Sequence, residues 1–290
     1  MDLIKSIIMG IVQGVAEFLP ISSSGHLAIM KHVLHINTDT GLLFDVLLHL
    51  GTLVAIFIVF WKDICELIVE GFKIVGDFII NVMIAVKNLL SGKKAEYRKM
   101  ISTPYRRFVM LITVSTIPTV IIGFLFKDAF EASGTTLLVP GLCLILTGIL
   151  LTIADRVKTG NKTESTASFK NAGLIGLAQG IAILPGLSRS GTTITASLVS
   201  GFDRSFAVKY SFIMSIPAVL GAVVLEMKDF SMDAVQADLL NYLAGTIVAG
   251  VIGYICIKTM LVIVKGKKFK YFAYYCFGIG SIAVIGHFVI

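Results

Sequence analysis

The sequence predicts an all-α polytopic membrane protein of two inverted-topology repeats, each a re-entrant helix-loop-helix followed by three transmembrane helices. Three observations predict it. Six apolar stretches are long enough to cross a bilayer, the loops between them alternate in charge, and two polar breaks of similar sequence interrupt the remaining apolar segments. The composition agrees: 56% of the 290 residues are hydrophobic and 15% charged, against roughly a quarter charged in soluble domains. Mean hydropathy is +0.90. A formal charge of +7 would suggest nucleic acid in a soluble chain, but here the cations cluster in loops, as the positive-inside rule expects. No nucleic-acid partner is expected.

The elements follow in order. Residues 1–10 are apolar but carry Asp2 and Lys5, with no small-residue cleavage site after an adequate apolar run. They are read as mature protein. A helix needs about 20 apolar residues to span the hydrocarbon core. Leu42–Phe60, Phe108–Phe126, Thr135–Ala154, Phe206–Leu225, Leu240–Val264 and Tyr271–Ile290 meet that length. The stretch from Lys87 to Arg107 holds seven Lys/Arg and one acid, and Lys265–Lys270 holds no acid, so both are assigned to the cytoplasm. Glu226–Asp238, with four acids and one Lys, is assigned outside. Asp63–Leu90, with charges among apolar residues, is expected to be an amphipathic helix on the cytoplasmic face. A seventh, polar span there would break the charge alternation.

Two segments cannot be simple crossings under this assignment. Residues 171–200 start inside, and so does the span after them; residues 1–26 begin and end outside. Each must enter and leave on one face, with irregular backbone satisfied by protein or water at the turn. The turns are expected at Pro20–Gly25 and around Pro185–Gly191. The segments also match: Gln13-Gly14-Val15-Ala16 recurs as Gln179-Gly180-Ile181-Ala182, and Ser22-x-Ser24-Gly25 as Ser188-x-Ser190-Gly191, both offset by 166 residues. The chain is therefore read as one membrane domain, 1–290. Repeat one is 1–155 with an amphipathic insertion at about 63–100, and repeat two is 168–290. Inverted repeats with broken helices place a site where the breaks meet.

Both breaks carry chemistry. Glu17 is a carboxylate at membrane depth, costly unless paired or hydrated, with Gln13 one turn before it. Ser22, Ser23 and Ser24 offer hydroxyls and backbone N–H groups at a helix start. His26 can move a proton near neutral pH. In the second break Arg189 wants an anion: a phosphate held with Ser188, Ser190 and Thr193 around it, or Glu17 as a bridge between the repeats. His49, Asp45, Lys209 and Tyr210 read as interfacial residues. Cys65, Cys143, Cys256 and Cys276 lack metal-ligand spacing and read as packing residues.

The segments Gln13–His26 and Pro185–Thr193 resemble the paired signatures of the undecaprenyl-diphosphate phosphatases, and the resemblance extends over essentially the whole chain. Where some members of that family carry a second glutamate, this chain has Gln13. The resemblance implies hydrolysis of a C55 polyprenyl diphosphate to the monophosphate, carrier-lipid recycling for wall synthesis, and bacitracin resistance. It implies Glu17, Ser23, His26 and Arg189 as central residues, and an active site facing outside on a multi-pass protein of the bacterial plasma membrane. Ser22, Ser24, Ser188, Ser190 and Thr193 are candidate phosphate contacts. Glu17 and Gln13 are candidate ligands of a divalent cation, Mg or Ca. The nucleophile is open between Ser23, His26 and water, and homodimerisation is open as well. The competing class is a secondary transporter or flippase of a phosphate-bearing lipid, since broken helices in repeats are also a transporter design.

Overall fold

The computed structural model describes residues 2–34, 36, 38–91, 95–134, 136–226 and 232–289. Thr135, Lys93, Lys94, Ile290 and residues 227–231 of the predicted acidic loop lie outside the described residues. The helices run in order as α1 (Leu3–Phe18), α2 (Ser23–Val33), α3 (Thr38–Val59), α4 (Trp61–Ser91), α5 (Pro104–Leu125), α6 (Lys127–Ser133), α7 (Leu138–Arg156), α8 (Phe169–Ile181), α9 (Arg189–Val199), α10 (Arg204–Glu226), α11 (Met232–Lys265) and α12 (Lys270–Val289). The chain is an all-helical, multi-pass membrane protein. Spans within α5, α7, α10, α11 and α12 are each long and apolar enough to cross a bilayer. Leu43–Val59 of α3 meets α4 at 88°, so α4 turns away from the span that precedes it.

Local chemistry sets these boundaries. Asp2 caps α1 by accepting from Lys5 N at 2.8 Å, and Ser168 caps α8 in a reciprocal capping box with Asn171. Those two caps again stand 166 residues apart. So do the glycines that let helices touch. A Cβ on Gly10 of α1 would meet Gly245 O at 2.4 Å, and one on Gly176 of α8 would meet Ser115 O at 2.1 Å. Small residues at such crossings are how membrane helices gain packing contact. α1 therefore lodges against α11, and α8 against α5. Each hairpin packs on the second long span of the other half, while α7 and α12 pair with each other.

Where α7 and α11 end, Arg204 donates to Val157 O at 2.9 Å, Val264 O at 3.3 Å and Ala154 O at 3.4 Å. A cation on helix C-terminal carbonyls satisfies acceptors that no further turn can reach. α4 is held differently. Arg106, at the start of α5, donates to Glu70 at 2.8 Å and Asp77 at 2.7 Å, while Phe72, Phe78, Leu89 and Leu90 of α4 stay exposed. Hydrogen bonds from Lys73 and Arg106 hold the Glu70 carboxyl below its ordinary range, and those from Arg106 and Arg98 do the same for Asp77. α4 is thus amphipathic, with one charged, clamped side and one bare apolar side.

Candidate active site

The two breaks meet. Phe18 ends α1 and Ser23 begins α2, with Ser22 between them at φ +73°. Ile181 ends α8 and Arg189 begins α9, with Gly186 at φ +86° between them. Both turns need a left-handed residue to reverse the chain, a conformation glycine adopts freely and serine at a cost. The tips touch: Gly186 N donates to Ser24 Oγ at 3.3 Å. Ser188 N donates to Thr147 Oγ1 of α7 at 3.0 Å. Ser188 Oγ in turn caps α9 through Gly191 N at 3.1 Å.

A cleft of about 210 Å³ opens at this junction. Its polar wall includes Glu17, Ser23, Ser24, His49, Gln179 and Arg189; half of its apolar wall is α10, through Ala218, Val219, Ala222 and Val223. Glu17 is the hub. Its Oε1 receives Arg189 Nη2 at 2.5 Å. Its Oε2 receives Ser23 Oγ at 2.7 Å and Gln13 Nε2 at 3.1 Å. Gln13 Nε2 also reaches His49 Nδ1 at 3.0 Å, which lies 3.6 Å from Glu17 Oε2. A buried carboxylate is thus surrounded by donors, as a charge at membrane depth requires.

Of the two readings of Arg189, the geometry shows the bridge to Glu17, made within the cleft rather than away from it. Glu17, Ser23, Ser24, Ser188 and Arg189 share the cleft. Gln13 stands behind Glu17, fully buried. Other expected residues sit elsewhere. His26 Nδ1 bonds Ser22 O at 2.7 Å, and its Nε2 is 2.6 Å from Tyr275 Oη, with the rings stacked. His26 does not line the cleft. Ser22 and Ser190 contact Ser24 and Ser188 at 3.3 Å each. Thr193 turns to Ser211 at 2.5 Å. His49, read from the sequence as interfacial, lines the cleft. Lys209 pairs with Asp63 at the α3–α4 elbow at 2.9 Å.

Among the described residues no group of three or more His, Cys, Asp or Glu could hold a metal. The oxygen donors at hand are Glu17 and the amide of Gln13, whose Oε1 is buried without a hydrogen-bond partner. Such a set fits a Mg or Ca ion that keeps water and substrate oxygens in its shell. It does not make a dedicated protein cage.

Comparison with known proteins finds relatives over nearly the whole chain. A family model described as Bacitracin resistance protein BacA matches residues 6–282. Proteins named undecaprenyl-diphosphatase from Methanosphaera stadtmanae, Alkaliphilus metalliredigens and Halothermothrix orenii are 44%, 41% and 40% identical to this chain. Each alignment covers 98% of both proteins.

Proposed function

The chain belongs to the bacitracin resistance protein BacA family, and from that membership and the cleft we infer that it is an undecaprenyl-diphosphate phosphatase. It hydrolyses undecaprenyl diphosphate to undecaprenyl phosphate and inorganic phosphate, recycling the carrier lipid of wall synthesis and conferring bacitracin resistance. The observation that carries the mechanism is the contact between Ser23 Oγ and Glu17 Oε2 at 2.7 Å: a hydroxyl and a carboxylate within proton-transfer reach, beside an arginine, in a cleft.

Ser23 attacks the terminal phosphorus, its proton passes to Glu17, and the P–O–P bridge breaks to release the monophosphate lipid. Arg189 turns from Glu17 to the phosphate oxygens as the carboxylate becomes neutral, and its fork then stabilises the charge of the transferring group. Ser24, Ser188 and the N-termini of α2 and α9 complete the anion contacts. Ser22, Ser190 and Thr193 act at one remove, by fixing those serines and α9. His26, bonded to Tyr275, holds the first tip and takes no proton from Ser23. The pair of Glu17 and Arg189 is neutral overall, so a bound diphosphate leaves negative charge to balance. A divalent cation held by Glu17 and Gln13 would supply that balance.

The two halves are related by inverted topology, residues 1–155 and 168–290. The exchanged packing of α1 on α11 and α8 on α5 supports that relation. Loop charge supports a cleft open to the outer face of a bacterial plasma membrane, with the apolar α10 wall beside the first prenyl units. The test is phosphate release from undecaprenyl diphosphate by purified protein, with and without EDTA. No release from folded protein under either condition, together with counterflow of a lipid phosphate in liposomes, would make it a carrier.

A further inference from the structure

Gln179 presents a buried acceptor that the chemistry above leaves unused. Its side chain lines the cleft with Glu17, Ser23 and Arg189. The residue is 1% exposed, and its Oε1 has no hydrogen-bond partner among the described residues. Buried amide oxygens are almost always satisfied, and one that is not calls for a reason.

Which amide atom stays free follows from counting protons. Thr119 Oγ1 lies 3.0 Å from Ser115 O and 2.9 Å from Gly176 O, both carbonyl acceptors. Its single proton is committed to one of them, so toward Gln179 the hydroxyl can only accept. Gln179 Nε2, 3.3 Å away, is the donor it needs. Rotating the amide would set two acceptors against each other. Oε1 is therefore the atom left over. The helix beneath it cannot shift easily either, because Gly176 is pressed against Ser115 so closely that a Cβ would stand 2.1 Å from its carbonyl.

A fixed oxygen that can only accept repels ionised phosphate oxygens and attracts a donor. Hydrolysis consumes one such donor, water. Building on the phosphatase reading, we infer that Gln179 is a positioning residue for the hydrolytic water, held through Oε1 in the cleft beside Ser23. In the second half-reaction the water oxygen bonds to the phosphorus of phosphorylated Ser23 as the P–Oγ bond breaks. Protonated Glu17 returns its proton to Ser23 Oγ, and both water hydrogens leave on dihydrogen phosphate. Orienting a nucleophilic water through a glutamine amide is a device phosphoryl-transfer sites use.

The experiment is a rapid-mix reaction of purified protein with undecaprenyl diphosphate labelled at its terminal phosphate, comparing wild type with Gln179→Met. Methionine keeps length and volume but has no strong acceptor. The expected result is a burst of undecaprenyl phosphate near one per protein, label trapped on Ser23, kcat lower by on the order of 100-fold, and a burst rate unchanged from wild type. Thr119→Val, which removes the fixing hydroxyl and keeps Gln179, should show a smaller burst of the same kind, and serves if Gln179→Met does not fold. Wild-type turnover in both variants, or slow turnover without burst and label, overturns the water assignment while leaving the phosphatase intact. Absence of phosphate release from wild type would instead remove the reading beneath it.

Discussion

Arg189 Nη2 lies 2.5 Å from Glu17 Oε1, joining side chains 172 residues apart and one from each hairpin. Side-chain exposure is 20% for the arginine and 5% for the carboxylate. Removing one partner of such a pair strands the other charge, whereas removing both does not. Arg189→Ala should therefore destabilise the protein by about 3–5 kcal/mol, and the double variant Glu17→Gln with Arg189→Ala should recover part of that loss. Each variant should also lose on the order of 100-fold or more in phosphate release. Thermal unfolding in detergent checks the first statement. A double variant less stable than Arg189→Ala would show that the pair is not the source of the cost.

His49 touches the hub through Gln13, whose Nε2 it accepts at Nδ1. His49→Ala should lower kcat about tenfold, on the scale of a lost supporting hydrogen bond of roughly 1.4 kcal/mol. His49→Asn, whose amide oxygen can take the place of Nδ1, should restore most of it. Equal activity in His49→Ala and wild type would make this histidine a bystander of the cleft wall.

The two turn residues predict opposite effects. Ser22 holds φ +73° and its Oγ accepts from Gly25 N at 3.4 Å, so Ser22→Gly should stabilise by roughly 0.5–1 kcal/mol, the relief of left-handed strain less a few tenths for that lost cap. At Gly186, φ +86° adds to a Cβ position 2.3 Å from Pro140 O. Gly186→Ala should destabilise by about 3 kcal/mol or more and lower activity by displacing Arg189. Denaturation of both variants beside wild type reads the two signs directly.

α4 should be released by acid. Glu70 and Asp77 are both held below their ordinary range by their cationic partners. Carboxylates depressed in the folded state add stability that is fully present above about pH 4, their unfolded range, and that is lost as pH falls through the folded values. Hydrogen exchange along α4 should accelerate below about pH 4. Arg106→Gln should show that faster exchange already at pH 7. Unchanged α4 protection in Arg106→Gln would mean that apolar contact alone holds the helix.

The spans and both breaks were legible in the sequence because they rest on local signals: apolar length, loop charge, and helix breakers beside polar groups. α3 and α10 begin 166 residues apart, like the repeated Gln-Gly and Ser-x-Ser-Gly motifs. Side-chain direction was not legible. His26 follows three serines in the chain, yet its ring turns to Tyr275, 249 residues away. His49 looked interfacial because its partner, Gln13, is 36 residues off. The recurrence of Gln13 at Gln179 was visible as a repeat, and a glutamine kept at two apolar helix positions was the available sign that both amides have work to do. Which amide atom is free depends on Thr119, whose bonds to α8 only a fold reveals.

The exchanged seats of the two hairpins set an order of events at the ribosome. α8 emerges when α5, its seat, is already in the bilayer. α1 comes first and finds nothing, because its seat, α11, begins only at Met232. At roughly 5–20 residues per second, the interval is on the order of 10–40 s. Glu17 has no arginine partner until Arg189 is made at the start of α9, and Gly10 and Gly14 present bare backbone to lipid or to the translocation machinery until α11 follows. Biogenesis of this protein therefore includes a waiting state in which the first hairpin is inserted without its seat, and that state is where quality-control proteases would find it.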